Sequence, residues 1–85
     1  MTYRVEFAKS VHKELASLPK NFQIRVIGGI EGLQENPRPH GIKKLKNNED
    51  LYRIRIGDYR VVFYIFDSSK KILVTRVQHR REVYR

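Results

Sequence analysis

Three runs in the last third of the chain, Leu51–Ile56, Tyr59–Phe66 and residues 72–77, are dense in β-branched and aromatic residues, with only turn-forming residues between them. Runs of this kind read as strands, so this third is committed to antiparallel sheet. Gly57-Asp58 joins the first two as a two-residue hairpin connection with glycine first, and residues 67–71 turn the chain into a last strand over 72–78. Upstream, residues 2–7 alternate, with Tyr3, Val5 and Phe7 on one face, which predicts a short opening strand. From Ala8 the period becomes helical through Val11, Leu15 and Leu18, and Pro19 stops it. A second helix is expected over residues 20–35, with Phe22, Val26, Ile27, Ile30 and Leu33 as its apolar stripe and Asn36-Pro37 as its end. Residues 36–50 read as a loop anchored by Leu45. The order is β-α-α-β-β-β, an α+β domain whose antiparallel-rich, mixed sheet is packed against a helical hairpin.

Gly28, Gly29 and Gly32 fall inside the second helix, each costing up to about 1 kcal/mol relative to alanine. They imply close approach of the first helix or the sheet, or else a groove for a partner segment.

Eighty-five residues suffice for one modest core. Eighteen lysines and arginines face nine acidic residues, a formal charge of +9, and the excess is uneven. Residues 1–50 hold nine basic against six acidic side chains, and residues 51–85 hold nine against three. A footprint of this kind points to a polyanion, nucleic acid first. The absence of cysteine excludes disulfides and thiolate metal sites. His12, His40 and His79 have no metal-ligand spacing, so neither metal nor cofactor is expected, and His12 and His40 read as surface residues. No signal peptide and no run of roughly 20 apolar residues is present, which makes cytoplasmic location, with no membrane partner, the expectation.

Arg53 and Arg55 are two apart on one strand and share a face, leaving Tyr52, Ile54 and Ile56 for the helices. Arg60 follows the hairpin turn and comes near Arg55. Arg76, Gln78 and Arg80 share a parity on the last strand if it stays extended. The expected product is a concave basic face. Taken singly, each arginine reads as an ordinary solvated strand residue. Taken together they have only Asp58, Asp67 and Glu82 nearby as counter-charges, and like charges placed opposite one another destabilise a sheet. Lys43, Lys44 and Lys46 are either RNA-backbone contacts or a plain solvated loop.

No P-loop, HExxH or nucleophile triad is present, and no carboxylate pair suggests a two-metal nuclease. RNA, however, carries its own nucleophile in the 2′-OH. Its cleavage needs a base, cations to stabilise the phosphorane, and an acid for the 5′ leaving oxygen. Arginine meets the second need through its forked donors.

The stretch LYRIRIGDYRVVFYIFD and the ending VTRVQHRREVYR, with ENPRP and KKL before them in the same order, resemble the RelE/ParE superfamily of bacterial and archaeal toxins over essentially the whole chain. The RelE branch of that resemblance implies cleavage of mRNA in the ribosomal A site and neutralisation by a cognate antitoxin. The ParE branch implies inhibition of DNA gyrase without RNA cleavage. The RelE pattern is filled at Arg53, Arg55, Arg60, Arg80 and Tyr84, which favours that branch. The resemblance implies that Arg53 and Arg60 hold the scissile phosphate and stabilise its transition state. Arg80 then serves the leaving oxygen, and Tyr84 stacks on or orients the nucleotide. Arg76 and Arg81 join the three lysines as candidate RNA contacts.

The departure lies at Arg55, where the best-known pattern has a lysine as general base. Either Arg55 only supports charge, or another group takes the proton. His79 is the first candidate, with an ordinary pKa near 6.5, and Glu49 and Asp50 are weaker ones. The leading expectation is a metal-independent mRNA interferase working with the ribosome. The alternatives are a gyrase-inhibiting toxin and an RNA-binding homologue with weakened catalysis.

Overall fold

The computed structural model of the chain describes residues 2–45 and 49–79. Its elements in chain order are β1 (Arg4–Phe7), α1 (Lys9–Ala16), α2 (Lys20–Gly32), β2 (Lys43–Lys44), β3 (Leu51–Ile56), β4 (Tyr59–Phe66) and β5 (Lys71–His79). They form one five-stranded mixed sheet in the order β1-β5-β4-β3-β2. β1 runs parallel to β5, and the remaining pairs are antiparallel. The hairpin turn is as expected: Ile56 pairs with Tyr59, and Gly57 takes the positive φ of 61° that its first turn position requires.

Two expectations need correction. The segment read as an unbroken loop contains β2, whose two residues pair with Arg53 and Tyr52. So short a strand carries too little pattern to be seen in sequence. The second helix stops at Gly32 rather than Glu35. Its tail tightens instead, with the Leu33 amide donating to the Ile30 carbonyl at 3.0 Å and the Gln34 amide to Glu31 at 3.1 Å, the three-residue closure common at helix ends.

One face of the sheet makes the core. Val61, Phe63 and Ile65 of β4 alternate inward, opposite Val77, Val74 and Ile72 of β5. They meet Val11 of α1 and Val26, Ile30 and Leu33 from α2 and its end, all almost fully buried. A fully buried aliphatic or aromatic side chain stabilises by about 1.5–3 kcal/mol, so this face fixes the pairing register. Gly29 brings α2 close to the sheet, since a Cβ there would overlap the side chain of Ile56, whereas Gly28 and Gly32 face open space. Close approach therefore accounts for one of the three helical glycines.

β5 pairs with β4 through an irregularity. Phe63 pairs with Val74 but Val62 pairs with Arg76, so Thr75 is an extra residue, a β-bulge. The Thr75 hydroxyl donates to the Val62 carbonyl at 3.2 Å across it. The bulge reverses the parity of the strand: Ile72 and Val74 point inward before it, Val77 after it. Arg76 and Gln78 are thereby turned to the face that the helices leave uncovered.

Candidate nucleic-acid interface

On the uncovered face, pairing registers set two rows of side chains across the strands. One row runs Arg55, Arg60, Gln78 over β3, β4 and β5. The next runs Lys43, Arg53, Val62, Arg76 over β2 to β5. Neighbours within a row sit on adjacent strands, about 5 Å apart at their Cα atoms. Gly41, Lys43, Arg53, Arg55 and Arg60 line a single open depression in this face. Gly41, with φ of 92°, leads the chain into β2 and brings its backbone to the rim.

Arg55 is tied to its own turn. Its Nε donates to the Gly57 carbonyl at 2.9 Å, and an Nη lies 4.0 Å from Asp58 Oδ1. Its side chain remains 59% exposed, so its charge still faces the depression. Directly opposite stands Arg60, a like-charge cross-strand pair of the kind that destabilises a sheet. Among the described residues the lining side chains include no carboxylate, imidazole or thiol, and no cluster of three such groups is placed to hold a metal ion. Guanidinium groups keep their protons at any physiological pH. The depression is therefore a cation clamp, suited to the non-bridging oxygens of a phosphodiester.

The remaining candidates divide. Arg76 joins the basic face, exposed, one strand beyond Val62. Lys44 does not join Lys43: it pairs with Tyr52, whose ring packs on the core, and so takes the opposite parity. His79 is not brought to the arginines either. It pairs with Tyr59 on the helix-facing side, its ring edge-on to that tyrosine at 5.1 Å. There it lines a second depression with Glu14, Ser17, Leu18, Tyr59 and Val77. Glu49 and Asp50 precede β3 at its Leu51 end, five residue steps from the Arg55–Arg60 pair, roughly 16 Å along the strand. Lys46, Arg80, Arg81 and Tyr84 lie outside the described residues. Gly41 carries no signal in sequence beyond a lone glycine just before the lysine pair, whereas the neutral Gln78 stands beside Arg60 on the face it shares with Arg76.

Comparison with known proteins agrees with this fold. The family model described as "ParE toxin of type II toxin-antitoxin system, parDE" matches residues 5–84. Toxin RelE3 of Methanocaldococcus jannaschii is 34% identical, with 95% of this chain and 94% of that protein covered. Toxin RelE of Mycobacterium tuberculosis is 32% identical, with 98% and 87% covered. Among solved structures, an archaeal RelE–RelB complex from Pyrococcus horikoshii superposes with a TM-score of 0.84 at 38% identity, covering 94% of this chain and 97% of that one. The resemblance read from the two C-terminal motifs thus extends through the fold, on the RelE side by name. The chain belongs to the ParE toxin family of type II toxin–antitoxin systems, within the RelE/ParE superfamily, and is a RelE-like toxin.

Proposed function

We propose that this toxin is a metal-independent endoribonuclease that cuts mRNA in the ribosomal A site, leaving a 2′,3′-cyclic phosphate and a 5′-OH. The observation that carries the reading is the pairing of Arg55 with Arg60, next to Arg53 and Lys43, on the sheet face opposite α1 and α2. Clustered cations of this kind favour an anion placed between them. In the mechanism, Arg53 and Arg60 grip the scissile phosphate and stabilise the charge that builds on its oxygens as the 2′-OH attacks. Arg55, anchored to its turn, adds field without acting as a base. The 2′-OH proton passes to a group outside the five lining residues, and Arg80 and Tyr84 keep the leaving-group and stacking roles that the family pattern implies. Lys43 and Arg76 extend the cationic track along the RNA backbone. A cognate antitoxin, such as the RelB in the complex from P. horikoshii, is the proposed neutralising partner. The site of action is the cytoplasm, where messages are translated.

The test is primer extension on a defined message in a purified translation system. Wild type should cut at A-site codons only when ribosomes are present. Arg60→Ala should lower the single-turnover rate by about 100-fold, the scale of one lost transition-state donor, with no loss of thermal stability. A variant that cuts at the wild-type rate removes Arg60 from the site. An intact message with wild type, accompanied by inhibition of supercoiling, redirects the reading to gyrase.

A further inference from the structure

β5 outruns its outer neighbour. The last β1–β5 pair is Phe7 with Val74, closed by the Ala8 amide donating to the Val74 carbonyl at 2.8 Å. From Thr75 to His79 the strand continues with β4 on one side and, among the described residues, no strand on the other. This overhang is the part of β5 that carries Arg76 and Gln78 alongside Val62 and Arg60. It also begins at the Thr75 bulge, where ladders are locally disrupted, so the well-paired upstream half does not hold it in line. A half-buried carboxylate on α1 reaches this open edge: Glu14 Oε1 accepts the Val77 amide at 2.8 Å. Hydrogen bonds to an ionised acceptor are shorter and stronger than neutral ones, and here the bond lies in the depression walled by Ser17, Leu18 and Tyr59.

We propose that Glu14 is a positioning residue for RNA cleavage, a side-chain partner for the β5 edge beyond β1 that sets the end of the strand so that Arg76 and Gln78 stand in the rows of Arg53 and Arg60. The inference rests on the nuclease reading given above. Glu14 sits on the helix side of the sheet, outside the lining of the basic depression, and meets β5 at the Val77 amide. In sequence Glu14 falls at helical spacing among Val11, Leu15 and Leu18, a carboxylate on the apolar stripe of the first helix.

The experiment compares wild type, Glu14→Ala and Glu14→Gln as full chains, by residue-resolved amide hydrogen exchange and by single-turnover cleavage on programmed ribosomes. Glu14→Ala should raise the Val77 exchange rate about tenfold or more while Ile72, paired on both sides, keeps its protection. The same variant should lower cleavage at subsaturating ribosomes about tenfold, through half-saturation more than through the saturated rate, because Arg76 belongs to the cationic track that holds the RNA backbone. Glu14→Gln should restore both quantities to within about threefold, since its amide oxygen accepts the same N–H. Unchanged Val77 exchange in Glu14→Ala overturns the latch. Fast exchange with a wild-type cleavage rate overturns the positioning role, as does a glutamine variant that restores protection without restoring rate. If wild type itself leaves the message whole, the nuclease reading falls and the positioning claim falls with it, while the exchange data still report whether the latch exists.

Discussion

Gln78 and His79 are adjacent in sequence and lie on opposite faces of the sheet, and that one-residue difference decides which can meet a phosphate held by Arg60. His79 was attractive as a base on chemical grounds alone, because imidazole titrates near neutrality. Counting by twos from Ile72 also sends it to the arginine side. Thr75 interrupts that count, and His79 ends against Tyr59 on the helical side. His79→Gln is accordingly expected to keep cleavage within about threefold of wild type, since its ring faces the helical side, away from the arginines. A pH–rate profile of wild type and variant checks this, and loss of a limb near the ordinary histidine range in the variant would return His79 to the mechanism. The strand arginines were legible because alternation needs only local counting: Arg53 and Arg55 share a face in any extended strand, and Gly57-Asp58 places Arg60 opposite Arg55. What escaped was whatever depended on a defect in the ladder.

The same division holds for whole elements. Both helices and four of the five strands announce themselves through apolar period and through Pro19 and Gly57, whereas β2 and the bulge are set by neighbours distant in sequence. The glycines of α2 make the point testable. Gly28 faces open space, so Gly28→Ala should gain up to about 1 kcal/mol from helix propensity. Gly29→Ala gains the same propensity but drives its methyl into Ile56, and overpacking of this kind costs about 1–3 kcal/mol. The net effect at Gly29 should be a loss of about 1 kcal/mol. Ile56→Val, which deletes the clashing methyl, should make Gly29→Ala less costly in the double variant than in the native background. Chemical denaturation of the four variants reads the coupling directly. A stabilising Gly29→Ala would mean that α2 and β3 are not held as closely as Ile56 indicates.

At the scale of the whole molecule, the helices occupy one face of the sheet and the cations the other, so the forces that hold the fold and those that hold a phosphate are separated. The end of the sheet remote from the Gly57 turn is tied by a polar knot. Arg38, in the segment after α2, donates through two nitrogens to Asp67 in the β4–β5 turn at 2.8 and 3.1 Å. Tyr3, just before β1, donates its hydroxyl to the same carboxylate at 2.6 Å. The Arg38 guanidinium also lies over the Tyr52 ring of β3, 5.3 Å from its centroid. Three chain segments far apart in sequence thus meet at one carboxylate, and no local pattern could have shown it. Arg38 first, and Tyr3 second, hold the Asp67 carboxyl well below the ordinary carboxylate range, down to about 2. A carboxyl depressed on folding stabilises the native state fully above its unfolded pKa, near 3.9, and that contribution is lost as pH falls through its folded value. Because both side chains are about half exposed, solvent screens the pair, and its worth is below about 1 kcal/mol. Asp67→Asn should therefore be less stable than wild type at pH 6 by that order, and the two unfolding curves should converge as pH falls from about 4 to about 2. Added salt should narrow the gap at pH 6 in the same way, because the pair is exposed. A gap that stays constant from pH 6 to pH 2 would mean that the knot's contribution comes from shape and the Tyr3 hydrogen bond, and not from the charge on Asp67.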